Sequence, residues 1–193
     1  MSKTRRSVIN KTGTRWLVLV LAAICSGSFL YAGEPSHAKS LQCGLAKTPP
    51  KLDGILDDVC WAAAGKIDDF FVFMPVGLTV NPEYKTTVWV CADKEAIYIA
   101  FECKQPDEPK ALADKRDSGK LWQTDDSAEI FISTGDNPKG FYQVIFNARG
   151  IFFDQDSGLP GVGAKWDGPV EAAATTTKDG WSGEVKIRLT ACV

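Results

Sequence analysis

Two alternating apolar runs on either side of a short turn constrain the fold of this chain more than any other feature. The runs cover residues 128–132 and 141–146, and Gly, Asp, Asn and Pro residues lie between them at positions 135–140. Alternation with a period of two predicts strands, and turn-forming residues between two such runs predict a hairpin. The stretch 121–147 is therefore predicted to contain two adjacent antiparallel strands.

The same pattern recurs along the chain. Further hairpins are predicted at 86–103, 141–154 and 170–188, and another strand at 67–73. With ten Phe, six Trp and four Tyr, these short strands predict an all-β fold, an antiparallel β-sandwich of the immunoglobulin-like or jelly-roll type. Two other features are expected beside the strands: a helical turn, capped by Asp57 or Asp58, that buries Trp61, and a long loop at 105–120 with a short helix at 110–115.

The first 32 residues are predicted to be a signal peptide. Five basic residues precede the apolar run 16–24, and small residues lead to Ala32, the expected last residue before cleavage. Thr4–Ile9 leaves twin-arginine export open beside the general route, and an uncleaved anchor is the alternative to cleavage. The resulting division is a signal peptide at 1–32, a linker at 33–48 and a folded domain at 49–193. The protein is expected to be periplasmic or extracellular.

Charge argues against nucleic acid as a partner. Removing the five basic residues of the signal peptide from the 22 Lys and Arg leaves 17 against 24 Asp and Glu, a net charge of about −7. No basic stripe is present to neutralise phosphates. Apart from the export signal, no membrane partner is predicted, and the sequence does not decide the oligomeric state.

Metal and cofactor sites are not predicted. No Cys-x-x-Cys pair exists, and the only histidine, His37, lies in the linker. Residues 154–158 have the acidic spacing of a calcium loop without its later ligands, so a solvated loop is predicted there. Five cysteines follow the signal peptide, and their pairing stays open. Cys91 and Cys103 are expected on opposite faces of their hairpin, with Cys91 opposite Tyr98.

A tryptophan beside carboxylates suggests sugar binding. Trp122 precedes Asp125, Asp126 and Glu129 at the start of a predicted strand. An indole ring can stack on the apolar face of a pyranose while a carboxylate accepts its hydroxyl hydrogens. The alternative is that Trp122 packs on a sheet edge and Glu129 faces solvent, as most polar positions of a half-buried strand do.

The order of several motifs resembles carbohydrate-binding module family 9 and its β-sandwich relatives. They are Leu52-Asp53-Gly54, Asp57-Asp58, Trp61, Asp93, Ile97-Tyr98, Trp122, Asp126-Ser127-Ala128-Glu129-Ile130-Phe131, Gln143, Asn147, Gly180-Trp181 and Glu184. The resemblance covers about residues 49–189. It implies a β-sandwich that binds carbohydrate and is often attached to enzymes that act on plant polysaccharide.

The resemblance also implies site residues. Trp122 matches the first of two tryptophans that sandwich a terminal sugar, and Glu129 matches a sugar-contacting glutamate; Asp126 and Gln143 complete the expected site. Ile145 stands where the family can place an arginine. The second tryptophan belongs to a segment after the Trp-x-x-Glu strand, so the resemblance implies a domain that lacks its last strands.

Three other functions fit the sequence less well. A glycoside hydrolase needs two carboxylates across a cleft, whereas Asp125, Asp126 and Glu129 start one short strand. A haem domain needs axial His or Met ligands, of which the mature chain offers only His37 and Met74. The runner-up is a structural or interaction β-sandwich module with a degenerate sugar site. The predicted function is an exported, non-catalytic carbohydrate-binding domain that is linked to polysaccharide breakdown and has no cofactor.

Overall fold

Twelve strands and two short helices make up the described part of the chain. The computed structural model describes residues 16–23, 41–70, 72–74, 77–79, 83–134, 140–158 and 166–192. The strands are β1 (Trp16–Ala23), β2 (Gly44–Leu45), β3 (Gly65–Ile67), β4 (Val72–Met74), β5 (Gly77–Thr79), β6 (Lys85–Ala92), β7 (Ala96–Lys104), β8 (Ser127–Thr134), β9 (Tyr142–Asn147), β10 (Phe152–Asp156), β11 (Val170–Thr177) and β12 (Gly180–Arg188). The helices are α1 (Val59–Ala62) and α2 (Lys120–Gln123), and a 3₁₀ turn spans Leu189–Cys192.

The strands form two main sheets. The four-stranded sheet has the order β1-β8-β9-β10, and the six-stranded sheet has the order β11-β12-β7-β6-β2, with β3 also paired to β6. β4 and β5 form a separate ribbon. Only the pairs β1–β8 and β2–β6 are parallel among the described strands. The predicted all-β sandwich is confirmed.

One apolar core lies between the two sheets, because alternate residues of each strand point inward. The four-stranded sheet contributes Ala128, Ile130, Ile132, Val144 and Phe146, and the six-stranded sheet contributes Val88, Val90, Ile99, Phe101, Trp181, Val185 and Ile187. The ring of Phe146 meets those of Phe101 and Trp181 edge to face, at centroid distances of 5.3 and 5.7 Å. The predicted alternation therefore places the core correctly.

The predicted hairpins are all present. Residues of β6 and β7 pair with Cys91 opposite Tyr98, as expected, and Cys103 faces the core while Cys91 faces away from it. The β9–β10 turn uses Gly150 at a φ of 75°, a conformation that favours glycine. The turn between β8 and β9 lies outside the described residues. The single strand predicted at 67–73 is wrong: β3 ends at Ile67 and β4 starts only at Val72.

The helix predicted at 110–115 is also wrong. The backbone N–H groups of Lys110, Leu112 and Ala113 donate to the side chains of Asp126 and Asp125 instead of to a helical turn. The helical turn expected near Trp61 is α1, and Trp61 is buried. Asp58 occupies the N-cap position of α1, but the predicted side-chain cap is wrong: its carboxylate accepts the N–H of Lys51 at 3.0 Å and makes no capping bond.

Two short segments fall in the parts of the sequence predicted to lie outside the domain. β2 lies in the predicted linker, where Gly44 pairs with Cys91 and the N–H of Ala46 donates to the carbonyl of Ala92 at 2.8 Å. β1 lies in the predicted signal peptide and pairs along the whole length of β8. Within the described segments, no helix has the length and apolar character needed to cross a bilayer.

Candidate functional site

The outer face of the four-stranded sheet, turned away from the core, carries the candidate site. Because Ala128 and Ile130 point into the core, Glu129 and Phe131 point outward. Strand pairing extends this face across β9 and β10 in two rows. The first row is Glu129, Ile145 and Phe153, and the second is Phe131, Gln143 and Gln155.

Three polar side chains form a hydrogen-bonded chain across these rows. The Gln143 Nε2 group donates to Glu129 Oε1, and the Gln155 Nε2 group donates to Gln143 Oε1. Glu129 and Gln143 are 8% and 7% exposed, and Gln155 is half-buried. Burial raises the pKa of Glu129, and the hydrogen bond from Gln143 opposes that rise. The carboxylate keeps acceptor capacity beyond the bond from Gln143.

Aromatic pairs flank this polar chain on both sides. Trp122, which α2 presents, meets Phe153 edge to face with ring centroids 4.4 Å apart. On the other side, Phe131 meets Phe141 at 5.2 Å. Adjacent strands lie about 4.8 Å apart, so the backbones of Glu129 and Phe153 are separated by roughly 10 Å. Stacking surfaces and hydrogen-bonding groups therefore share one face of the sheet.

A small satellite core holds Trp122 in place. Trp122 and Ile151 pack on a buried cluster made of Ala113, Leu121, Ile145 and Phe153. The cluster joins the long loop at 105–119 and α2 to the outer face, and Trp122 stays half-buried at its border. The indole is thus neither inside the main core nor separated from the sheet that carries Glu129.

The two aspartates that follow α2 hold the loop at 105–119 in place by hydrogen bonds. Asp125 is fully buried, and its carboxylate accepts bonds from the N–H groups of Leu112 and Ala113 at 2.8 and 2.9 Å and from Asn147 Nδ2 at 2.8 Å. Asp126 Oδ2 accepts from Gln105 Nε2 at 3.0 Å and from the N–H of Lys110 at 2.8 Å.

The predicted site residues are therefore brought together only in part. Glu129 and Gln143 touch, and Trp122 lies over the same face of the sheet. Asp126 instead accepts hydrogen bonds from the loop at 105–119. Its position does not alternate in step with Ser127 and Glu129, which share one face of β8. Its sugar-binding role stays a prediction, as do those of the other three residues.

Sequence reasoning missed three residues of this face: Phe131, Phe153 and Gln155. Their positions depend on the register between β8, β9 and β10. The signal for Phe153 and Gln155 was available, because a tight turn at 148–150 fixes which residue of β10 lies opposite Gln143.

Asp154 was predicted to be part of a solvated loop, and this is wrong. It is 1% exposed, hydrogen-bonds the guanidinium of Arg116 and accepts the N–H of Gly168 at 2.7 Å. Arg116 also pairs with Asp167 at 2.7 Å and lies over the ring of Phe152. Within the described segments, no group of three or more His, Cys, Asp or Glu side chains is arranged to hold a metal ion.

A cleft on the opposite side of the molecule has different chemistry. Its volume is about 510 Å³, and its lining includes Ile55, Glu102, Lys104, Asp179 and Ser182. None of the described residues that line it is aromatic. Stacking on the apolar face of a pyranose needs an aromatic side chain. The outer face of the four-stranded sheet is therefore the better candidate for a sugar site.

Comparison with known proteins supports this architecture. A solved structure of a family 9 carbohydrate-binding module from Caldicellulosiruptor kristjanssonii in complex with glucose shares 15% identity and a TM-score of 0.51, over 76% of this chain and 68% of that one. A structure of a family 9 module from the same organism in complex with cellotriose shares 17% identity and a TM-score of 0.47, over 77% and 67%. The first similarity supports the fold.

Sequence comparison identifies the family. No curated protein sequence matches this chain. The sequence pattern of the family described as carbohydrate family 9 binding domain-like matches residues 52–193. Because this match spans well over half of the sequence, the chain belongs to the carbohydrate family 9 binding domain-like family.

Proposed function

We propose that this protein is an exported, non-catalytic carbohydrate-binding domain that takes part in polysaccharide breakdown. The observation that carries the proposal is the outer face of the four-stranded sheet, where the Glu129–Gln143–Gln155 chain lies between two aromatic pairs. Family membership and the glucose complex of the similar module favour a saccharide ligand.

The carboxylates favour binding over hydrolysis. Hydrolysis of a glycosidic bond uses two carboxyl groups about 5–10 Å apart on either side of the substrate. Asp125 is buried and bonded to the loop at 105–119, and Asp126 is bonded to the same loop. Glu129 is therefore left without a carboxylate partner on the outer face among the described residues.

Replacing Trp122 with Ala is expected to weaken saccharide binding at least tenfold. Loss of an aromatic stacking surface at the centre of a site removes about 1.4 kcal/mol or more, which is a tenfold change in Kd. The measurement is isothermal titration with glucose and cellotriose, preceded by a glycan array. Trp89→Ala is the matched control, because Trp89 is also half-buried but packs on the six-stranded sheet.

Binding that survives Trp122→Ala, in a variant whose circular dichroism is unchanged, would overturn the site. Glu129→Gln provides a second probe, because it keeps the shape of the side chain and removes the charge. It is expected to weaken binding as well, since a charged acceptor binds hydroxyl groups more strongly than a neutral one.

Export is expected to remove the first 32 residues. Basic residues followed by the apolar run 16–24 support this part of the proposal. Mass spectrometry of the protein recovered outside the cytoplasm is expected to give a chain that begins at Gly33. A chain that retains residue 1 and stays in the cytoplasmic fraction would rule out the signal peptide.

A structural module with a degenerate sugar site is the second candidate. Glu129 and Gln143 favour it, because each is less than a tenth exposed and they already hydrogen-bond each other. This candidate predicts no binding to any saccharide on the array, whereas the first predicts binding that depends on Trp122.

A further inference from the structure

Two buried cysteines lie in one cluster on the outer side of the six-stranded sheet. Cys60 lies on α1 and Cys91 on β6, and both belong to a cluster outside the main core that also contains Trp61 and Tyr98. They are 7% and 0% exposed. α1 packs directly against β6, and the burial and charge of each thiol influence the other. A short helix and the strand it packs on thus bring two buried cysteines, 31 positions apart in sequence, into one cluster.

We propose that Cys60 and Cys91 form a disulfide bond that ties α1 to β6. In this step the two thiols together lose two protons and two electrons, and one S–S bond forms. The oxidant is a disulfide donor, such as glutathione disulfide or a thiol oxidoreductase, whose own S–S bond is reduced to two thiols. In the cell, the bond rests on the export part of the proposed function, because disulfides persist in oxidising compartments.

Two other cysteines, Cys43 and Cys103, are less well placed to pair with Cys91. Cys103 faces the core on β7, on the opposite face from Cys91. Cys43 is the competing partner, because Gly44 pairs directly with Cys91. However, Cys43 is exposed, and its thiol donates to the carbonyl of Gly44 at 3.6 Å. The burial of Cys60 and Cys91 in one cluster therefore favours a bridge between them over a bridge to Cys43 or Cys103.

The environment of the thiols indicates when the bond forms. Burial raises the pKa of Cys91 to about 12 and also raises the pKa of Cys60. Since the thiolate is the reactive form, oxidation of the folded protein is expected to be slow. The bond is therefore expected to form during folding, before α1 covers Cys91.

The test is oxidative refolding of the reduced, full-length chain in a glutathione buffer, followed by trypsin digestion without reductant. Trypsin places four of the cysteines in separate peptides: Cys43 in residues 40–47, Cys60 in 52–66, Cys91 in 86–94 and Cys103 in 95–104. The expected dominant cross-linked product joins 52–66 to 86–94. It is expected to persist in Cys43→Ser and to disappear in Cys60→Ser.

Thermal unfolding supplies a second measurement. A bridge that closes a loop of about 30 residues is expected to raise the Tm of the oxidised protein by roughly 10 °C over the reduced protein. Cys60→Ser is expected to abolish this difference. A folded protein in which peptide 86–94 stays unlinked, or is linked mainly to 40–47, would overturn the proposal. Neither outcome depends on sugar binding, so the proposed function is tested separately.

Discussion

Glu184→Ala is expected to lower the free energy of unfolding by about 4 kcal/mol, because three donors, two of them buried, lose their acceptor at once. Glu184 is fully buried on the outer side of β12. Its carboxylate accepts the N–H groups of Asp53 and Gly54 at 3.0 and 2.9 Å and Trp61 Nε1 at 3.1 Å. This one side chain therefore connects residues 53–61 to β12 of the six-stranded sheet.

Urea unfolding followed by tryptophan fluorescence measures the effect. Glu184→Gln keeps the volume and one acceptor oxygen, so we expect a loss of about half that size. Glu102→Gln is the matched control, because Glu102 lies on the same outer face of the neighbouring strand and is partly exposed beside Lys104. Its change is expected to stay within about 0.5 kcal/mol. Equal stability of Glu184→Ala and the wild type would contradict the anchoring role.

The pH dependence of stability follows from the same residue. Burial raises the pKa of Glu184, although bonds from Gly54, Asp53 and Trp61 oppose the rise. Between the unfolded and the folded pKa, the folded state binds more protons than the unfolded state, so stability falls as pH rises. The contribution is largest below the ordinary glutamate pKa and levels off above the raised one. Glu184→Gln is expected to remove this part of the slope.

Asp125→Ala is expected to cost about 3–4 kcal/mol of folding free energy and to abolish saccharide binding as well. Asp125 joins the loop at 105–119 to Asn147 on β9, and Thr124 Oγ1 adds a further bond at 3.1 Å. Without this carboxylate, the N–H groups of Leu112 and Ala113 lose their acceptor. The loop then no longer holds α2, which presents Trp122, against the outer face.

Two control variants distinguish the loss of the Asp125 hydrogen bonds from the loss of an ordinary surface charge. Asp114→Ala removes an exposed carboxylate from the same loop, and both stability and binding are expected to stay unchanged. Asp125→Asn retains one acceptor oxygen and is expected to fall between Asp125→Ala and the wild type. Urea unfolding and titration with the best ligand from the glycan array measure the two effects. Full binding in a folded Asp125→Ala variant would show that the loop does not position Trp122.

Local patterns predict the strands and hairpins well, because both the alternation of apolar residues and the turns between consecutive strands are local features of the sequence. The register that places Cys91 opposite Tyr98 follows from a four-residue hairpin connection. The loop at 105–119 escapes such reasoning. Its N–H groups find acceptors in Asp125 and Asp126, which come 12–16 residues later in the chain. Propensity alone favours a helix at 110–115, and these long-range bonds decide against it.

The candidate site shows the same difference between features set by local sequence and features set by long-range contacts. Trp122, Glu129 and Gln143 are visible from sequence because they flank or belong to one hairpin. Glu184 was part of the recognised motif order, but its role was not visible, because its partners lie about 130 residues away in sequence. Asp154 was misjudged for the same reason, since its partner Arg116 belongs to another part of the chain.

The pairing of β1 with β8 bears on the proposed cleavage after residue 32. Residue 18 of β1 is the backbone neighbour of Glu129. If a peptidase removes the first 32 residues, β8 loses this neighbour and becomes an edge strand. The backbone N–H and C=O groups on that side of β8 then hydrogen-bond to water. Glu129 then stands at an open border of the sheet. In that case the precursor and the processed chain differ in the strand that lies beside the candidate site.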